Sequence, residues 1–184
     1  MAIKTFASGE ILTASDTNTY LANAGLVYVT STTVGSAVSS VTVSNCFSST
    51  YDNYVIQYSG IVASANNSMT LKLGSTATGY YWGLIWVALG SATVNGAQAQ
   101  NGASFTYAGV ASTTGSSGTI ELWGPNKAAR TGMRSSYIEF LTNGAQGQST
   151  GFLDDTTAYT AFTLTPGSGT YTGGTITVYG YRKA

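Results

Sequence analysis

Four side chains hold most of the acid–base potential of this sequence: Glu121, Glu139 and the adjacent Asp154 and Asp155. Two carboxyl groups facing each other roughly 5–10 Å apart can hydrolyse a glycosidic bond, one as acid and the other as base or nucleophile. Glu121 and Glu139 both fall in stretches that read as strands, so a carbohydrate-active site would need those strands to turn the two side chains toward each other. Their spacing does not require it. Asp154 and Asp155 lack the spaced oxygen ligands of a calcium loop and read as a solvated turn. The sequence contains no histidine, which excludes a Ser-His-Asp triad, a Cys-His dyad and every histidine-bearing zinc site. One cysteine, Cys46, permits neither a thiolate cluster nor an intrachain disulfide. Its neighbours Val41, Val43 and Phe47 predict a buried or strand-end thiol. No Gly-rich stretch ends in Gly-Lys-Ser/Thr, so there is no P-loop. The expectation is a protein that is not an enzyme and carries no cofactor or metal.

Charge narrows the partners. Seven Lys and Arg balance seven Asp and Glu, and charged residues make up 8% of the chain, against about 25% in ordinary soluble proteins. Nucleic-acid affinity rests on Lys and Arg neutralising phosphates. The only local basic cluster, Lys127, Arg130 and Arg134, reads as a solvated loop, so no nucleic acid is expected. No apolar run is long enough to span a bilayer, and the first 23 residues are polar and interrupted, unlike a signal peptide. These features predict no membrane insertion and synthesis in a cytoplasm. A neutral, charge-poor surface suits a protein held in an assembly.

The elements that would position these residues are nearly all strands. From Leu26 onward, period-2 alternation recurs in about ten short segments separated by Gly, Asn, Ser and Pro. Residues 53–63, 69–73, 117–123 and 134–142 are examples. The C-terminal stretch from Phe162 reads as two strands around Pro166 and Gly167, and its last strand, with Ile176 and Val178 on one face, completes the domain. The pattern predicts an all-β antiparallel sandwich, jelly-roll-like, over residues 26–184. Residues 91–102 and 143–151, rich in Gly, Gln and Ser, read as loops that would carry recognition. The stretch 80–89 is apolar on both faces. Tyr80, Trp82, Leu84 and Trp86 are therefore expected at a subunit interface, the competing role being a sugar-stacking platform.

Residues 1–25 form a separate arm. Thr13 and Asp16 have the spacing of a capping box, which predicts a helix over residues 14–23 ended by Gly25. Ile3, Phe6, Ile11, Leu12, Tyr20 and Leu21 are its apolar side chains. A helix this short is marginal in water; it packs either on its own domain or on a neighbouring protein.

The arm also carries a resemblance. Phe6, Gly9, Leu12, Thr13, Ala14, Asp16 and Asn18 match the F-x-x-G-x-x-L-T-A-x-D-x-N opening of bacteriophage tail and fibre proteins. The run from Gly173 to Arg182 is similar to the end of small β-sandwich domains in such fibres. The resemblance implies a virion structural protein, a short tail fibre or appendage. The arm would attach it to other virion proteins of tail, baseplate or capsid through Ile3, Phe6, Ile11, Leu12, Tyr20 and Leu21. The β domain would project as a homotrimer and contact a host cell-surface glycan. A capsid decoration or head-fibre protein is the alternative, followed by a free carbohydrate-binding or carbohydrate-active protein.

Overall fold

The computed structural model describes residues 6–16 and 25–183. Alternating β-branched, aromatic and polar residues give twelve strands among them: β1 (Leu26–Thr33), β2 (Val41–Val43), β3 (Asn53–Ala63), β4 (Asn67–Leu73), β5 (Tyr80–Ala88) and β6 (Val94–Gly102), then β7 (Phe105–Ala111), β8 (Ser116–Trp123), β9 (Thr131–Glu139), β10 (Ala145–Leu153), β11 (Phe162–Pro166) and β12 (Tyr171–Tyr181). They form two antiparallel sheets. The larger runs β1-β12-β3-β8-β9-β10-β5-β6 and the smaller β2-β11-β4-β7. This is the expected antiparallel sandwich, its strands divided eight to four.

Strand parity places the core. On the large sheet Tyr54, Ile56 and Tyr58 of β3, Ile120 and Leu122 of β8, Met133 and Tyr137 of β9, and Ile176 and Val178 of β12 are buried. They meet Met69, Leu71 and Leu73 of β4, Phe105 of β7, and Phe162 and Leu164 of β11 from the small sheet. Each such side chain contributes roughly 1.5–3 kcal/mol by leaving water. The other parity of the large sheet faces out, and the registers align it. Gln57, Thr119, Ser136, Gln148, Ile85 and Gly96 stand opposite one another in a single row across β3, β8, β9, β10, β5 and β6.

The C-terminal strand β12 lies inside the large sheet, bonded to β1 on one side and β3 on the other. β6 and β10, read from sequence as loops, are nine-residue strands that flank β5. Their Gly, Ala, Gln and Ser composition hides the alternation, and pairing with the aromatic β5 imposes it.

In the N-terminal segment one three-residue helical turn, α1 (Ala14–Asp16), is described. Thr13 Oγ1 accepts from the Asp16 N–H at 3.1 Å, and Asp16 Oδ2 accepts from the Thr13 N–H at 3.1 Å. That reciprocal pair is the capping geometry predicted. The rest of the predicted helix, with Tyr20 and Leu21, lies outside the described residues, as does Ile3.

Candidate interaction surface

The carboxylates do not form a catalytic pair. Glu121 is on the solvent face of β8, where its Oε2 accepts from Arg134 Nη2 at 2.8 Å and its Oε1 from the Tyr181 hydroxyl at 3.3 Å. Glu139 has the opposite parity on β9; it is buried, and its Oε2 accepts from the Ala145 N–H at 3.0 Å. Glu139 stands opposite Ser116, five residues from Glu121 along β8, or roughly 17 Å at strand rise. The two groups lie on different faces of one sheet, so no bond can sit between them. Asp154 accepts from Arg130 Nε at 2.7 Å. Asp155 caps its own turn, accepting from the Thr157 N–H at 2.6 Å, and hydrogen bonding from the Thr157 side chain and then its backbone holds the carboxyl below the usual range. Among the described residues no group of three or more Cys, Asp or Glu is placed to hold a metal ion.

The residues of the basic cluster are ion-paired. Lys127 pairs with Asp52 at 3.0 Å, Arg130 with Asp154, and Arg134, which is on β9 rather than in a loop, with Glu121. Each cation of the group faces a carboxylate, and Asp52 is shared with Lys183 at 2.7 Å. Cys46 is buried as expected; its thiol donates to the Val43 carbonyl at 3.3 Å, and burial pushes it up to about 12. Among the described residues no helix is long and apolar enough to cross a membrane.

The residues expected at a subunit interface are placed otherwise. Tyr80, Trp82 and Leu84 point into the core of their own subunit. The Tyr80 hydroxyl accepts from the Leu73 N–H at 2.9 Å, and Trp82 Nε1 donates to the Ser104 carbonyl at 3.1 Å. Trp86, on the same face, is half-buried against that core. The two apolar faces of β5 are thus covered once, from within. The outward face holds Ile85, which is 65% exposed, and Val87. Period-2 alternation reveals both faces but not which one the small sheet covers. Tyr80 and Trp82, being buried, offer no ring face for stacking on a sugar; Trp86 is only half-buried and lines a depression on the outward face.

What the outward face does offer is a shallow groove of about 820 Å³. Ser136, Gln146, Gln148 and Thr150 line it with Ile85 and Gln98, and Gly83, Gly96 and Gly147 contribute backbone. A second depression continues it over Gln57, Ser117 and Thr119. Gln57, Gln98, Thr119, Ser136, Gln146, Gln148 and Thr150 make no side-chain hydrogen bond within the described residues, so their neutral donors and acceptors are turned to solvent. The row from Gln57 on β3 to Ile85 on β5 crosses four strand spacings, roughly 19 Å. The signal available from sequence was the Gln146/Gln148/Thr150 alternation, masked by the loop-like glycines beside it.

The described arm residues face solvent too. Ile11 is 81% exposed, and Leu12 and Phe6 are also exposed. Comparison of the sequence with protein-family models and with curated proteins found no match to either.

Proposed function

We propose that this protein is a non-enzymatic structural component of a bacteriophage virion, a short tail fibre or appendage. Its N-terminal arm attaches it to the particle, and its sandwich presents the grooved sheet face to the host surface. The observation that carries the reading is the arm. Thr13 and Asp16 cap the short turn Ala14–Asp16, the apolar Ile11 and Leu12 stand in solvent, and a short segment of that kind needs a surface to lie on. The same residues carry the resemblance to phage fibre openings. The groove supports the outward role: an uncharged row of amides and hydroxyls beside Ile85 suits the hydroxyls and C–H faces of a host glycan. The separation of Glu121 from Glu139 supports binding rather than hydrolysis.

Deletion of residues 1–23 tests the reading. The truncated protein is expected to fold with the same β content and to be lost from purified particles. Incorporation at the full-length level would overturn it. Labelling the incorporated protein separates attachment at the tail, expected here, from a decoration spread over the capsid.

A further inference from the structure

The large sheet ends in two edge strands, β1 and β6. Proteins blunt such edges with charge, proline, bulges or short length, because unpaired N–H and C=O groups template another strand. β1 is blunted by a register break between Tyr28 and Thr30 in mid-strand. β6 is less guarded. Its ladder with β5 is regular from Val94 to Ala99, the break falling only beyond Ala99. That regular run holds neither charge nor proline, and no Asp, Glu, Lys or Arg occurs anywhere in residues 73–120. Among the described residues no backbone group outside β5 bonds to the backbone of β6, so alternate residues turn N–H and C=O outward.

We propose that β6 is a self-association site, pairing antiparallel with β6 of a second copy and joining two large sheets into one. The run is self-complementary. A two-fold axis through Gly96, Ala97 or Gln98 keeps paired side chains on the same face. The pairs it creates carry no charge; the bulkiest are Val94 with Gln98 for an axis at Gly96, Val94 with Gln100 for one at Ala97, and Gln98 with its own copy for one at Gln98. Val94, 66% exposed, lies beside the new strand. A second copy is the occupant favoured because a charged partner would find no complement along β6, and a heterologous contact would require the broken ladder of β1.

The test uses the isolated full-length chain, so it is independent of the attachment assigned to the arm. Sedimentation of the wild type is expected to show a roughly twofold rise in mass with concentration. Gly96→Lys combined with Gln98→Lys, both on the exposed face, should keep the β circular dichroism and abolish that rise. Single cysteines introduced at residues 96, 97 and 98 probe the axis directly, with buried Cys46 as a silent background. Across an antiparallel pair the residue on the axis brings its Cα within disulfide range of its copy, while one two or more residues from the axis stands at least roughly 13 Å out of register with its copy. One of the three is expected to cross-link on mild oxidation, and Gln100→Cys is not. A wild type monomeric at every concentration, a trimer, or an absence of cross-linking at all three positions would each overturn the proposal.

Discussion

The Tyr58 hydroxyl occupies the space that a β-carbon on Gly118 would need. Such a carbon would stand 2.5 Å from Tyr58 Oη and 2.6 Å from the Ser136 carbonyl oxygen. Gly109 on β7 meets the same hydroxyl from the other sheet. The ring of Tyr58 therefore bridges the two sheets only because both glycines leave room.

Gly118→Ala should destabilise the fold by roughly 1–3 kcal/mol, the usual cost of forcing an extra methyl into a packed site. Gly173→Ala, where an added carbon meets nothing within 4 Å, should be close to neutral. Urea midpoints of the two variants, compared with wild type, check the contrast. Equal midpoints would mean that Tyr58 moves aside freely.

Much of this arrangement was readable beforehand. The boundaries of β3 follow from the alternation over residues 53–63, and the capping bonds of Thr13 and Asp16 follow from their spacing. Sheet order was not readable, because β12 inserting between β1 and β3 depends on contacts made across most of the chain. The candidate sites fared differently again. Parity separates Trp82 from Ile85, but only the position of the small sheet decides that Trp82 is inside. Residues 91–102 and 143–151 read as loops because Gly96 and Gly147 resemble turn residues; in the fold both lie in strands, beside Gln98, Gln146 and Gln148.

Glu139 and Glu121 should answer differently to truncation. Glu139→Ala removes a buried carboxylate and leaves the half-buried Ala145 N–H without its acceptor, an expected loss of about 1–3 kcal/mol. Glu121→Ala breaks a pair whose Arg134 partner is largely in solvent, and the expected loss is under about 1 kcal/mol. Chemical denaturation of both variants measures the difference; a larger loss at Glu121 would show that its bonds to Arg134 and Tyr181 matter more than the β9–β10 turn.

Ending the chain after residue 170 should abolish cooperative folding. It removes the ladders on both sides of β12 and the buried Tyr171, Ile176 and Val178. Loss of an interior strand splits the sheet, leaving β1 without a partner. Near-ultraviolet circular dichroism and a urea titration provide the check, and a retained sigmoidal transition would contradict the central place given to β12.

Alkaline pH should unfold the protein through groups that the fold keeps protonated. Burial pushes the Cys46 thiol and the Tyr80 and Tyr137 hydroxyls each up to about 12, and it raises Tyr58 and Tyr171 as well. In the unfolded chain the thiol titrates near 8.5 and the phenols near 10. Above about pH 9 the unfolded state therefore binds fewer protons than the folded one, and stability falls with rising pH. The contribution is intact below the unfolded values and is lost as the pH climbs toward 12. The decline should begin shallowly with Cys46 and steepen past about pH 10 as the tyrosines join. Cys46→Ala, whatever it costs in packing, should flatten the first part and leave the second. Urea midpoints taken across that range test the slope, and a profile unchanged up to about pH 11 would mean that these hydroxyls reach solvent without unfolding.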